Sequence, residues 1–134
     1  MNAPLIVAGS LAVLAAAVHG GAGQVLVVSR LSPEVLPPTR FGGPGMTKAM
    51  IEVTWHITTI AFLTVGSALL LSGSVLDGDA AQAVGLVAAG ACTGFAALAV
   101  GMGAAYTHSP RSLFLHPGPI VLTATAALAW WGAV

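Results

Sequence analysis

Polar and apolar positions alternate on the scale of whole segments, not within them. Four long intervals carry no Asp, Glu, Lys or Arg: Leu5–Val28, Val53–Leu76, Ala80–Pro110 and Ser112–Val134, of 24, 24, 31 and 23 residues. About 20 helical residues cross a hydrocarbon core of about 30 Å, since each adds about 1.5 Å. Backbone amides in lipid must bond within their own segment, which a helix achieves. The pattern therefore predicts an all-α chain, a single four-span domain of residues 1–134, with helices over about 4–28, 49–72, 80–107 and 112–133.

The connections are marked by turn-forming residues. Ser29–Lys48 holds Ser32-Pro33, Pro37-Pro38 and Phe41-Gly42-Gly43-Pro44-Gly45, which oppose a continuous helix and are read as a turn. Asp77-Gly78-Asp79 marks the second connection, and Pro110, Pro117 and Pro119 mark the third. Connections this short favour antiparallel neighbours, so the expected architecture is a transmembrane antiparallel four-helix bundle.

Composition agrees with this segment pattern. Hydrophobic residues make up 57% and charged residues 6% of the chain, with zero net charge, where a soluble domain carries about a quarter charged residues. Most of the surface must face lipid. No basic patch points to nucleic acid. The lone Cys92 excludes an intramolecular disulfide and a cysteine-cluster metal site; in its apolar run it is a small buried or lipid-facing side chain. The first basic residue, Arg30, follows the first apolar interval, so that interval reads as a retained helix and not as a secretory signal.

Arg30, Arg40, Lys48 and Arg111 all fall in the first and third connections. The positive-inside rule puts those loops in the cytoplasm and both termini outside the cell inner membrane. Trp130 and Trp131 then mark the outer interface, and Trp55, Tyr106 and Phe114 the inner one. Gly90, Gly94, Ala97, Gly101 and Ala105 form a small-residue stripe on the third helix, with Ala12, Ala16 and Gly20 similarly spaced on the first. Such stripes let helices approach closely, and packing within the bundle is the first expectation, a self-association face the second.

Four histidines stand out among so few polar residues. Helix alternation brings His19, His56, His108 and His116 toward one leaflet, each from a different helix or its edge. His19 and His56 lie roughly 10–15 Å from the basic rim along their helices, at matched depth. Glu52 is four residues from His56 and shares its helical face. Imidazole and carboxylate can bind a transition metal jointly, two opposed histidines can hold a haem, and a metal-free pair can relay protons. Candidate ligands are thus His19 and His56 for a cofactor, and His19, Glu52, His56, His108 and His116 for a metal, with Gln24, Thr54, Thr58 and Thr59 as nearby hydrogen-bonding groups. Ordinary interhelical hydrogen bonding explains membrane histidines equally well.

No phosphate-binding loop, dinucleotide fingerprint or nucleophile elbow occurs, and no catalytic residue emerges. His19-Gly20-Gly21, the proline-bearing first loop, Trp55-His56, and His116-Pro117 ahead of a helix ending Trp130-Trp131-Gly132 together resemble a family of small, uncharacterised bacterial four-helix integral membrane proteins. The resemblance covers most of the chain, implies the four-span topology and singles out His19 and His56, but brings no activity with it. The leading expectation is a membrane protein holding a metal or haem near the cytoplasmic leaflet, for electron transfer or binding. The alternatives are a cofactor-free accessory subunit of a larger membrane complex and a small oligomeric transporter.

Overall fold

The computed structural model describes residues 1–107 and 116–134, and its elements are helical, with no strand among the described residues. Helix α1 (Ala3–Ala17) continues as a π-helical segment, Val18–Gly23, then a single α turn, α2 (Gln24–Leu26). Short 3-10 turns follow at Val28–Arg30 and Pro33–Val35, then α3 (Pro44–Ser74), α4 (Gly78–Thr107) and α5 (Pro117–Ala133). Three stretches are long and apolar enough to cross a membrane: Ala3–Arg30, Pro44–Ser74 and Gly78–Tyr106. This is an all-α membrane protein.

The helix boundaries have local causes. Pro44 opens α3 inside the glycine-rich turn, because a proline at the first helical position gives up an N–H that has no partner there anyway. At the other end of α3, the N–H groups of Val75 and Leu76 both donate to the Leu71 carbonyl at 2.9 Å. Gly78 then opens α4 with φ of 56°, a conformation that costs other residues a steric penalty. Asp79, in the first turn of α4, complements the helix dipole.

The chain divides into two compact units. The first comprises Met1–Ala15 and Leu63–Val134. Its core is built largely of small side chains: Leu5, Ala8, Leu69, Ala88, Ala89, Cys92, Ala96, Ala126, Ala129 and Ala133. Alanine and cysteine let α4 and α5 run close together, and the Trp130 indole N–H donates to Thr93 Oγ1 at 2.9 Å across that seam. Gly9 of α1 meets Gly66 of α3 just as closely. A Cβ on Gly9 would lie 2.8 Å from the Gly66 carbonyl oxygen. Asn2 ties this end of the unit, its amide Nδ2 donating to the Gly132 carbonyl at 2.7 Å and its backbone N–H to that of Gly73 at 2.7 Å.

The expected small-residue stripe does not pack within the unit. An added Cβ at Gly90, Gly94 or Gly101 meets nothing within 4 Å, and Ala97 and Ala105 are exposed. The packed face of α4 is instead the one bearing Gly85, Ala88, Ala89, Cys92 and Ala96. Without water on one side, polarity gives no contrast between a lipid-facing and a packed face, so spacing alone picked the wrong one. Cys92 is buried there. Ser72, also buried, donates to the Ala81 carbonyl at 2.6 Å and so bridges the turn between α3 and α4.

The second unit, Ala16–Phe62, contains the π-helical segment, α2, the proline-bearing connection and the first part of α3. It carries His19, Glu52 and His56.

Candidate functional site

Val18-His19-Gly20-Gly21-Ala22-Gly23 is a poor α-helical sequence, since each glycine weakens a helix by about 1 kcal/mol relative to alanine. The chain responds with the wider π turn, a form concentrated at functional positions. The two outer glycines also make room. A Cβ on Gly20 would come within 2.6 Å of Thr59 Cγ2, and one on Gly23 within 2.5 Å of Trp55 Cζ2. Trp55 and Thr59, one turn apart on α3, therefore sit directly against the π segment.

His19 is held from several directions. Its ring stacks on Trp55, with centroids 4.0 Å apart and planes at 15°, and meets Phe62 edge-on at 5.6 Å and 76°. The Trp55 indole N–H donates to the His19 backbone carbonyl at 3.0 Å. His19 Nδ1 lies 3.0 Å from Thr59 Oγ1. The Thr59 hydroxyl spends its own proton on the Trp55 carbonyl, at 3.2 Å. With that proton so placed, Thr59 Oγ1 can accept from His19 in the tautomer that carries the proton on Nδ1 and a lone pair on Nε2. No hydrogen bond among the described residues engages that Nε2.

Next to this cluster is an open cleft of about 440 Å³, lined by Gln24, Ala49, Glu52, Val53, His56, Ile57 and Ile60. Glu52 and His56 stand one helical turn apart on α3, and Gln24 reaches the cleft from α2. Among the described residues Glu52 has one ion-pair partner, Lys48, with Nζ 3.8 Å from Oε1. Both side chains are partly accessible, and a pair of that length contributes little. Gln24 Oε1 is buried, and nothing among the described residues donates to it.

The candidate residues are engaged differently. His19 is engaged by Trp55, Thr59 and Phe62, while His56 is an exposed wall of the cleft, and no hydrogen bond or ring contact joins the two. Glu52 shares the cleft with His56. His116 belongs to the first unit, where its Nδ1 accepts the Gly118 N–H at 3.1 Å and caps α5. His108, Arg111 and Phe114 lie outside the described residues. Among the described residues, no three His, Cys, Asp or Glu side chains gather where they could hold a metal ion.

Trp55, expected at an interface, also clamps the π segment, and Gln24, expected as a nearby hydrogen-bonding group, walls the cleft. The Trp55-x-x-x-Thr59 spacing facing Gly20-x-x-Gly23 was the available sequence signal for the clamp. Family models, curated proteins and solved structures give no match to the chain, in keeping with an uncharacterised family.

Proposed function

We propose that the chain is a small multi-pass protein of the cell inner membrane that binds a small polar ligand in the cleft walled by Gln24, Glu52 and His56. One observation carries the reading: Glu52 and His56 stand together in the wall of one cleft, beside Gln24. A carboxylate and an imidazole are expensive at membrane depth and mark functional cavities there. A helix pair serving only to pack would carry apolar side chains at these positions.

In this reading α5 is the fourth span of an antiparallel bundle. Its 17 residues rise about 25 Å, and local thinning of the bilayer absorbs the few ångströms it lacks. The basic residues Arg30, Arg40, Lys48 and Arg111 face the cytoplasm and the termini face outward. His19 acts from behind the cleft by fixing Trp55, and hence the turn of α3 that carries His56.

Native mass spectrometry of protein extracted with its own lipids tests the proposal. The wild type should carry a bound species that Gln24→Leu and Glu52→Gln lose. An unchanged bound mass in both variants, with Gln24→Leu merely more stable, would overturn it. A haem, as either ligand or neighbour, would declare itself in the absorption spectrum of the same preparation. The second reading, an accessory subunit, is favoured by the open face of Gly90, Gly94 and Gly101, and predicts that both cleft variants behave as wild type.

A further inference from the structure

Resting on the cleft reading, we infer that the ligand is a small primary alkylammonium ion, its N–H groups donating to the Glu52 carboxylate and the His56 imidazole and its stem lying on Ile57 and Ile60. The two ionisable groups in the cleft wall can both accept: a carboxylate has no proton to give, and a neutral imidazole offers a lone pair. Among the described residues, no hydrogen bond engages either side chain. Lys48 Nζ lies 3.8 Å from Glu52 Oε1, beyond hydrogen-bond distance, and both side chains are partly accessible. The carboxylate therefore stays open to a cation that comes closer, and it repels an anion.

The spacing suits a single nitrogen atom. Glu52 and His56 project from adjacent turns of one face, where i and i+4 Cβ atoms lie about 5–6 Å apart. N–H groups diverging tetrahedrally from one ammonium can reach both acceptors. The rest of the wall selects the remainder of the guest. Ala49, Val53 and Ile57 form one ridge of α3 along the cleft, and Ile60 continues the ridge of Glu52 and His56. Both ridges are aliphatic past His56, and Ile60 lies about 6 Å further along the axis, room for a stem of a few carbons. No aromatic ring lines the cleft among the described residues, so it lacks the cage that holds quaternary ammonium groups. Its volume of about 440 Å³ falls in the range of about 300–1,000 Å³ typical of small-molecule sites, which favours a free amine over a whole phospholipid.

The test uses full-length protein in nanodiscs of phosphatidylcholine and phosphatidylglycerol, which carry no primary amine, titrated with n-butylammonium. Ligand-observed NMR follows binding in every variant, and the His56 ring nitrogens report it directly in the wild type. Binding should saturate, and butyltrimethylammonium, which has no N–H to donate, should bind far more weakly. Glu52→Gln should weaken butylammonium binding by at least about tenfold and His56→Ala by about twofold to tenfold, the usual yields of a charged and a neutral hydrogen bond. Lys48→Gln should tighten it by removing the competing cation, and His116→Ala should leave it unchanged. His56 is exposed and Glu52 partly so, and circular dichroism should report an intact fold in their variants. Absence of saturable binding, equal binding of butyltrimethylammonium, indifference to Glu52, or weaker binding in Lys48→Gln overturns the inference. Retention of phosphatidylethanolamine by the wild type but not by Glu52→Gln, without butylammonium binding, would make the amine a lipid's and overturn the free-amine assignment. If butylammonium fails while mass spectrometry finds another species lost in Glu52→Gln, the ammonium assignment falls and the cleft reading stands. If neither is found, both fall.

Discussion

Replacing Gly9 with alanine and Gly94 with alanine should have opposite effects, although both positions are helical glycines in apolar surroundings. At Gly9 the new Cβ would sit 2.8 Å from the Gly66 carbonyl oxygen, 2.8 Å from Leu70 Cγ and 2.9 Å from the Leu70 backbone nitrogen, against an ordinary contact of 3.4 Å or more. Two of these three neighbours are backbone atoms and cannot rotate away. Relief requires α1 and α3 to separate by about half an ångström at this crossing, and overpacking of this kind costs about 1–3 kcal/mol. Alanine recovers about 0.5–1 kcal/mol of backbone entropy, so the net destabilisation should be about 1–2 kcal/mol. At Gly94 nothing lies within 4 Å, so only the entropy gain remains and the variant should be neutral or slightly more stable. Reversible unfolding in mixed micelles of rising sodium dodecyl sulfate content, followed by far-ultraviolet circular dichroism, measures both. Equal destabilisation by the two substitutions would mean that the outer face of α4 is packed, and a Gly9→Ala variant as stable as wild type would refute the assignment of Gly9 and Gly66 as the close crossing.

Thr59→Val should cost about 1–3 kcal/mol by stranding the His19 Nδ1 proton, and Thr59→Ser should restore most of it. Nitrogen chemical shifts of the His19 ring should report a protonated Nδ1 and a bare Nε2 in the wild type; the opposite tautomer would contradict the hydrogen-bond network. Trp55→Phe keeps an aromatic surface for the stack but loses the bond to the His19 carbonyl, and should raise amide hydrogen exchange across Val18–Gly23 while leaving α5 unaffected. His116→Ala should lower the thermal stability of the first unit through loss of a helix cap, by about 0.5–2 kcal/mol, with His116→Asn close to wild type.

Three of the four expected spans were plain in the sequence, because charge-free runs of membrane length have few other physical solutions. It carried the packing poorly. Gly9 and Gly66 form the tight crossing, yet Gly90, Gly94 and Gly101 look the same on a helical wheel and meet open space. Partner choice in lipid depends on which helix lies opposite, and that is a long-range property. The site was readable in part: Glu52 and His56, four apart on one helical face, do share a wall of the cleft. His19 and His56 share a depth, but whether their side chains turn toward each other depends on helix rotation. The π segment at Val18–Gly23 changes that rotation locally without changing the composition, and no periodic pattern announces it. Gln24 reaches the cleft beside Glu52 and His56 while His19 goes to Trp55 and Thr59, a division visible only once the register of that segment is known.

A π turn inside an α-helix accommodates an extra residue, as a single-codon insertion does, and Gly21 is the natural one to count as extra, since a side chain there would touch nothing within 4 Å. Deleting it would let the segment rewind as an ordinary α-helix, and because the π turn absorbs that residue the flanking positions would keep nearly the same phase. What would be lost is the widened turn itself, which seats Gly20 against Thr59 and Gly23 against Trp55. One residue with no contacts of its own thus sets the width of the turn on which the histidine clamp closes.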